Sequence, residues 1–466
     1  MQILDLDLTE LAALIATGEI SSREATKRSL DALETIGRDL NCTVSTYADE
    51  AMASAAKADQ DLSRGLNHGR LHGVPMAHKD LFEVAGRLVA AGSKVRRDHR
   101  ATRTASTMRR LAEAGAIHIG ALHMSEFALS PTGYNGHLGY CRNPWNRDFI
   151  TGGSSSGSAA AVAARLIPGS LGSDTGGSVR IPAGACGITG VKPTYSLIAK
   201  DGVTPLSPSL DCVGPLARTA ADCALLLDVI AGPDASDPLT SHAPRVSYTA
   251  ALGNGGLDLS IGVLPRRDLE GVDHEVLAIL QDGIANFQNL GAKIVEADIS
   301  SFEVINELNR AVLVIEAAAL HRRQLVDNPQ DFSPHVRGRL ETGLYLPATR
   351  YFEAMSMRGK LAARFVEQTF ASVDLLLLPC IPFPVPPISM ETDGVSGTVT
   401  DDIVKFTRAI NYLGIPAASV PAGFTANGLP ASFQLVGRHF DETRILAVAH
   451  AYQQTTDWHR RRPAIV

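Results

Sequence analysis

Thr151-Gly152-Gly153-Ser154-Ser155-Ser156-Gly157-Ser158-Ala159-Ala160 sets three adjacent serines between glycines and runs straight into an alanine-rich segment, residues 159–166. The reading of this stretch decides the fold. Its centre, Gly153-Ser154-Ser155-Ser156-Gly157, matches the G-x-S-x-G nucleophile elbow, which would put Ser155 on a sharp strand-to-helix turn as a nucleophile. An elbow needs an apolar strand directly before it, and Asn143-Pro144-Trp145-Asn146-Arg147-Asp148 is polar and turn-forming instead. Glycine and serine ahead of a helix also leave backbone N–H groups open to an anion. A Walker loop, however, requires Gly-Lys-Ser/Thr, and no lysine stands here. Neither the elbow nor nucleotide binding is a sound primary reading.

Two further polar groups share this kind of setting. Lys79 lies within Gly73-Val74-Pro75-Met76-Ala77-His78-Lys79-Asp80-Leu81-Phe82, with apolar residues on both sides. Desolvation disfavours the ammonium, so such a lysine can be neutral near pH 7 and accept a proton. Ser178 lies within Gly172-Ser173-Asp174-Thr175-Gly176-Gly177-Ser178-Val179-Arg180, where consecutive glycines leave backbone amides uncovered. Amides so exposed can hold an oxyanion. Taken singly, each group has an ordinary reading as a solvated lysine, a flexible linker or a tight turn. His68 and His72 stand four apart, but Gly69 and Gly73 interrupt any helix and no HExxH occurs, so they read as loop histidines rather than metal ligands.

The rest of the chain limits what these groups serve. With 466 residues, 45% of them hydrophobic, it exceeds the usual size of one compact core, so a large elaborated unit or two lobes is expected. Its 43 basic and 49 acidic side chains leave a net charge of -6, and the one short basic run is His459-Arg460-Arg461-Arg462. A nucleic-acid partner is not expected. Met1-Gln2-Ile3-Leu4-Asp5-Leu6-Asp7 alternates acids with apolar residues where an export signal has a basic start and an apolar run, and no stretch is long enough to span a bilayer. Cys42, Cys141, Cys186, Cys212, Cys223 and Cys380 are scattered and form no CxxC pair, so free thiols in the cytoplasm are expected.

Periodicity points to an α/β chain. Residues 8–16 carry apolar side chains at helical spacing, and Ser21-Ser22-Arg23-Glu24 reads as a capping box before a second helix, which predicts an N-terminal helical arm over residues 1–70. Residues 71–230 alternate short apolar runs, such as Ala116-Ile117-His118-Ile119 and Leu166-Ile167-Pro168, with helix-like stretches. Gly, Pro, Asp and Ser dominate residues 231–256, a predicted surface connection. Then Leu259-Ser260-Ile261-Gly262-Val263-Leu264, a helix over 276–290 and Ala292-Lys293-Ile294-Val295 form a strand-helix-strand unit, so the sheet continues through residues 257–466. Helices are predicted over 302–326 and 348–370. Val373-Asp374-Leu375-Leu376-Leu377-Leu378, Ala417-Ala418-Ser419-Val420 and Phe433-Gln434-Leu435-Val436 are the remaining strand candidates.

In order and spacing, these pieces resemble the amidase signature family of Ser-Ser-Lys amide hydrolases, and the resemblance covers most of the chain. Residues 73–80 resemble the family's lysine segment, 151–160 its glycine/serine signature, 172–182 its nucleophile loop, and Gly190-Val191-Lys192-Pro193-Thr194 the stretch that follows. Ser209-Leu210-Asp211, Val213-Gly214-Pro215, Gly428-Leu429-Pro430 and Gln434-Leu435-Val436-Gly437 resemble later landmarks. The resemblance implies a single amidase domain over residues 1–466, in which 257–466 completes the sheet and covers the active site. Its fold would be a central mixed, twisted β-sheet covered on both faces by helices.

Residue by residue, the resemblance makes Ser178 the nucleophile, Ser154 the bridging serine after a cis peptide bond, and Lys79 the base. It assigns the backbone amides of Thr175, Gly176, Gly177 and Ser178 to the oxyanion hole, and Ser155, Asp174 and Arg180 to structural support. Met124-Ser125-Glu126-Phe127-Ala128-Leu129-Ser130 and Tyr134-Asn135 resemble the acyl-pocket segment, which makes Ala128, Leu129, Tyr134 and Asn135 substrate-binding candidates. Residues 316–357, with Arg322, Arg323, Tyr345, Tyr351 and Phe352, are candidates to cover its mouth. Two positions depart from the pattern: Ser156 stands where glycine is common, and His78 where an aliphatic residue is common.

No metal or organic cofactor is implied. The partner is a small-molecule amide, taken as a small to medium neutral carboxamide or anilide or a carbamate or urea relative, since no charged cluster stands out. A homodimer is a family-level expectation. The alternative is the glutaminase component, the A subunit, of a tRNA-dependent amidotransferase, which passes ammonia to its partner proteins. Its usual Ser-Ser-Thr-Glu-Asn-Ser run is replaced here by Ser130-Pro131-Thr132-Gly133-Tyr134-Asn135.

Overall fold

The apolar runs found beyond residue 256 assemble into one large sheet. In the computed structural model, which describes residues 3–253, 257–299, 301–390 and 398–464, the strands in chain order are β1 (Thr43–Thr46), β2 (Pro75–Lys79), β3 (Ile117–Leu122), β4 (Tyr134–Asn135), β5 (Gly139–Tyr140), β6 (Gly169–Asp174), β7 (Thr189–Lys192), β8 (Cys212–Ala217), β9 (Ser260–Val263), β10 (Lys293–Glu296), β11 (Leu375–Pro379), β12 (Ala417–Phe424) and β13 (Pro430–Val436). Eight of them form a mixed sheet in the order β10-β9-β11-β13-β12-β7-β8-β6. Strand β9 pairs in parallel with β10 and β11, and the other neighbours are antiparallel.

Helices cover both faces of this sheet, which explains the unbroken leucines of β11. Because side chains alternate along a strand, Leu375 and Leu377 enter one apolar cluster and Leu376 and Leu378 the opposite one. The first cluster takes in Leu225 and Ile230, Leu280 and Phe287, and Ile445 and Tyr452, from the helices Ala220–Ile230, His274–Asn289 and Glu442–Thr455. The second takes in Ile305 and Val312, Phe365, and Ile410 and Tyr412, from Phe302–Asp327, Ala348–Thr369 and Arg408–Leu413. Residues 257–464 supply five of the eight strands, so the large sheet is completed only by the second half of the chain. Within 231–253 the connection is interrupted only by a short 3-10 turn, Pro238–His242, and 254–256 lie outside the described residues.

A second, three-stranded sheet has the order β1-β3-β2, with β3 antiparallel to β1 and parallel to β2. Within the expected helical arm, four helices lie between residues 8 and 63, and Thr43–Thr46 leaves them to pair with β3. Side chains join this sheet to β6. The Ser170 hydroxyl donates to Ala77 O at 2.8 Å, and Leu171 N–H donates to His78 Nδ1 at 3.0 Å. The histidine that departs from the family pattern therefore supplies a hydrogen bond between the two sheets. Burial pushes its pKa down to about 3, so it is neutral at pH 7. It adds no positive charge beside Lys79.

The alanine-rich segment becomes the buried helix Ser156–Ala163, whose small side chains allow close approach. A Cβ on Gly157 would lie 2.4 Å from His123 N and 2.6 Å from Cys42 O, so no larger residue fits without moving backbone. Strand β6 begins at Gly169, just after the Leu166-Ile167-Pro168 run. Its Gly-Ser-Leu-Gly-Ser-Asp sequence has little of the β-branched and aromatic content that marks strands.

His78→Leu should lower the unfolding free energy at pH 7 by about 1–3 kcal/mol, because the buried Leu171 N–H loses its acceptor. The sign of the pH dependence follows from the depressed pKa. Neutral His78 favours the folded state above the ordinary imidazole value near 6.5, and this advantage falls as pH drops toward 3. Urea unfolding should therefore show the largest gap between wild type and variant at pH 7 and a smaller one at pH 5. An equal midpoint at pH 7 would contradict the bridging role.

Candidate active site

The side-chain bonds between β2 and β6 bring Lys79, the last residue of β2, beside Ser173 and Asp174 at the end of β6. Lys79 is 1% exposed. Its Nζ lies 2.7 Å from Ser154 Oγ, 2.9 Å from Ser173 Oγ and 3.1 Å from Ser155 Oγ. Burial lowers its pKa from 10.5 to about 7, with Asp211 and Asp174 acting in the opposite direction. Ser155 donates its own hydroxyl proton to Ser173 O at 3.2 Å, so toward Lys79 it only accepts. Ser173 was absent from the sequence candidates, although it lies within the quoted nucleophile loop.

The peptide bond between Gly153 and Ser154 is cis. Ser125 N–H donates to Ser154 O at 3.2 Å, which ties the serine tract to the segment leading into residues 126–131. Gly172 faces the same tract, and a Cβ there would sit 2.5 Å from Ser155 Oγ. Ser156 is accommodated away from the lysine. Its hydroxyl pairs with His123 Nδ1 at 2.8 Å, while His123 Nε2–H donates to Gly139 O at 3.1 Å. Burial pushes the His123 pKa down to about 4, which keeps its ring neutral.

Between β6 and the helix Arg180–Cys186, the loop carrying Ser178 is braced by a buried ion pair. Asp174 Oδ1 accepts from Gly177 N–H at 2.8 Å and from Arg180 Nη2 at 3.0 Å. Its Oδ2 accepts from Val179 N–H and Arg180 Nε, both at 3.1 Å. Burial alone would raise the Asp174 pKa, but Arg180 outweighs it and the value falls to about 2. Arg180 also donates to Gln434 Oε1, Thr407 O and Asn411 Oδ1, and the Asn411 amide donates to Asp174 O. Thr407 Oγ1 donates to Gly176 O at 2.7 Å. Gly177 has φ +131, and a Cβ there would meet Thr407 Oγ1 at 2.4 Å, so only glycine suits the position.

Ser178 opens onto a cavity of about 410 Å³, with Thr175, Gly176, Ala128 and Leu129 in its lining. Gly177 is a correction to the expected oxyanion hole: its N–H is taken by Asp174, and it does not line the cavity. Tyr134 and Asn135 are corrections to the expected pocket. Tyr134 packs on Tyr140 and His335. The Asn135 amide donates to Gly92 O and Met124 O, and its carbonyl accepts from His137 and Leu138, so it holds backbone together.

The region expected to cover the mouth does contribute, but through Arg339, Thr342, Leu346 and Arg350. Tyr345 and Phe352 point outward, 87% and 71% exposed, and Tyr351 bonds to Glu316. The helix Pro334–Tyr345 that carries Arg339 and Thr342 was not anticipated. Buried Glu126 anchors it to the pocket segment, accepting from Ser93 Oγ at 2.6 Å, His137 Nε2 at 3.0 Å and Ser333 N–H at 3.1 Å. His68 and His72 are engaged by Asp61 and Ala58 O. All six cysteines are free and buried. Among the described residues, no helix is long and apolar enough to cross a membrane.

Comparison with known proteins bears directly on this arrangement. The family model described as Amidase matches residues 24–446. The A subunit of the glutamyl-tRNA(Gln) amidotransferase of Chromohalobacter salexigens is 37% identical over 99% of this chain and 98% of its own length. Its counterpart in Nitrosococcus oceani is 36% identical over 98% and 99%. Among solved structures, the native peptide amidase of Stenotrophomonas maltophilia superposes with a TM-score of 0.86 at 29% identity, covering 98% of each chain. A 6-aminohexanoate cyclic dimer hydrolase superposes with a TM-score of 0.91 at 25% identity, covering 99% of each.

The ion pair under the loop makes a quantitative prediction. Asp174→Asn leaves the Arg180 guanidinium buried without its carboxylate and should lower stability by about 3–5 kcal/mol in chemical denaturation. Asp174→Asn combined with Arg180→Met should recover part of that loss. A single variant within about 0.5 kcal/mol of wild type would show that the pair does not brace the loop.

Proposed function

Because this chain belongs to the amidase family, we propose that it hydrolyses the C–N bond of an amide through an acyl-enzyme on Ser178, with Ser154 and Lys79 as the proton relay. The observation that carries this reading is the buried Lys79 amine, 2.7 Å from Ser154 Oγ with a pKa near 7. A neutral amine has two N–H bonds and one lone pair. Ser155 and Ser173 accept the two N–H bonds, which leaves the lone pair for the Ser154 hydroxyl.

In the proposed reaction, Lys79 takes the Ser154 proton as Ser154 takes that of Ser178, and Ser178 Oγ attacks the carbonyl carbon. The tetrahedral oxyanion is met by the amides of Thr175, Gly176 and Ser178, and removal of one such donor typically costs about 2.7–4 kcal/mol. The proton returns from the lysine through Ser154 to the amide nitrogen, the C–N bond breaks and the amine leaves. Water then attacks the acyl carbon while the relay takes its proton, and Ser178 recovers its hydroxyl as the acid departs. A cavity of about 410 Å³ suits a small to medium substrate, and six buried free thiols fit a reducing compartment such as the cytoplasm.

A second reading is supported by the identity of the curated relatives, which are A subunits of glutamyl-tRNA(Gln) amidotransferases. It would make glutamine the amide and pass the ammonia to partner proteins. The stand-alone reading is favoured by the likeness to the peptide amidase and the cyclic dimer hydrolase. It is also favoured by the departure at residues 130–135, since Ser130 and Pro131 of that run line the cavity.

Purified protein assayed alone on primary amides, anilides, esters, carbamates and glutamine distinguishes the two. Release of amine or ammonia from simple amides, reduced at least about a thousandfold in Ser178→Ala, is the expected result. Wild-type turnover by Ser178→Ala would remove the nucleophile assignment. Activity confined to glutamine, or appearing only with partner proteins, would favour the amidotransferase reading.

A further inference from the structure

The cavity over Ser178 is not electrically balanced. Its lining includes four guanidiniums, Arg310, Arg339, Arg350 and Arg408, against two carboxylates, Glu307 and Asp401. Both carboxylates belong to exposed residues, as do Arg310 and Arg350, whereas Arg339 and Arg408 are half-buried. Arg339 spends one N–H bond on Leu129 O, a neutral carbonyl. Arg350 is a surface residue 3.8 Å from Glu353. Arg408 is different in kind because of where it stands.

Arg408 opens the short helix Arg408–Leu413, next to the Thr407 whose hydroxyl holds Gly176 O. A Cβ on Gly176 would lie 3.8 Å from Arg408 Cγ, so this side chain runs directly beside the loop that carries Ser178. Burial pushes its pKa down to about 10. Asp401 and Glu307 act on it through space, but among the described residues no carboxylate comes within ion-pair distance, and Arg310 and Arg339 repel it. A half-buried guanidinium with no carboxylate in contact is best satisfied by one engaged through two parallel N–H bonds.

We propose that the amide taken by this site carries a carboxylate, held by Arg408 with Arg310 on the facing helix, a short chain away from the carbonyl that Ser178 attacks. The proposal rests on the amide-hydrolase reading and replaces the expectation of a neutral substrate with an anionic one. No charged cluster was visible in the sequence, because Arg310 and Arg408 are almost a hundred residues apart and meet only where the two helices converge on the cavity. The carboxylate belongs either to the acyl part, as in a dicarboxylic half-amide, or to the leaving amine, as in an N-acyl amino acid.

The test compares matched pairs on the stand-alone protein: succinamate and glutaramate against butyramide and valeramide, and N-acetylglycine against N-methylacetamide. Wild type should favour the charged member of at least one pair by about tenfold or more in kcat/KM, and the favoured pair identifies which side carries the carboxylate. In Arg408→Gln the preference should fall toward unity through a raised KM, with Arg408→Lys in between. A wild-type ratio at or below one, or a ratio unchanged by Arg408→Gln, overturns the proposal.

Calorimetric binding of succinate and butyramide to Ser178→Ala separates this outcome from failure of the hydrolase reading. Binding of succinate with no turnover of any amide supports the anion site and removes amide hydrolysis. Absence of succinate binding alongside turnover of neutral amides removes the anion site and keeps the hydrolase.

Discussion

Burying a lysine amine against serine hydroxyls rather than a carboxylate is the constraint on which the rest of the structure depends. A carboxylate in contact would hold the ammonium charged, whereas hydroxyl partners leave burial free to bring the pKa down to about 7. Those partners come from two separate segments, Ser154 and Ser155 from the serine tract and Ser173 from β6. The two sheets must therefore meet where Lys79 ends β2. His78 and Ser170 make that junction with side-chain hydrogen bonds.

The loop carrying Ser178 answers a different demand, which is to hold a glycine-rich segment in one shape beside a cavity. Here a full charge does the work. Asp174 collects the N–H groups of Gly177 and Val179, and Arg180 links it to Gln434, Asn411 and Thr407 from the far half of the chain. The charged pair is fully buried and multiply bonded, so both ions keep hydrogen-bond partners that compensate for lost water. It also explains why residues 257–464 are needed at the site as well as in the sheet: without the strand bearing Gln434 and the segment bearing Thr407 and Asn411, the Arg180 side chain would keep only Asp174 as a hydrogen-bond partner.

Much of this was legible in the sequence because the signals are local. Leu375 to Leu378 announced a buried strand, and the lysine, serine and glycine-rich stretches marked the segments that meet around Lys79. The residues that escaped notice act over long separations. Thr407 and Asn411 lie more than 200 positions from Asp174 and carry no motif, and the Gly169–Asp174 strand has a composition that resembles a turn. Tyr134 and Asn135 were misplaced for a related reason. Their neighbours Ser130 and Pro131 do reach the cavity, but Gly133 turns the chain at φ +87, and beyond it Tyr134 packs on Tyr140 and His335 while Asn135 bonds to backbone. His78 looked ambiguous until its acceptor role toward Leu171 was seen, since a sequence gives no sign of which tautomer a histidine adopts.

The state of the Lys79 amine is the most direct test of this account. The rate at which a fluorophosphonate labels Ser178, followed by intact mass from pH 5 to 10, reports activation of the serine without any assumption about substrate. The account predicts a rate that climbs about tenfold per pH unit below pH 7 and levels off above it. It also predicts that the limb disappears in Lys79→Met. A limb centred near the ordinary lysine value of 10.5, or a pH 7 limb that survives loss of the lysine, would contradict it.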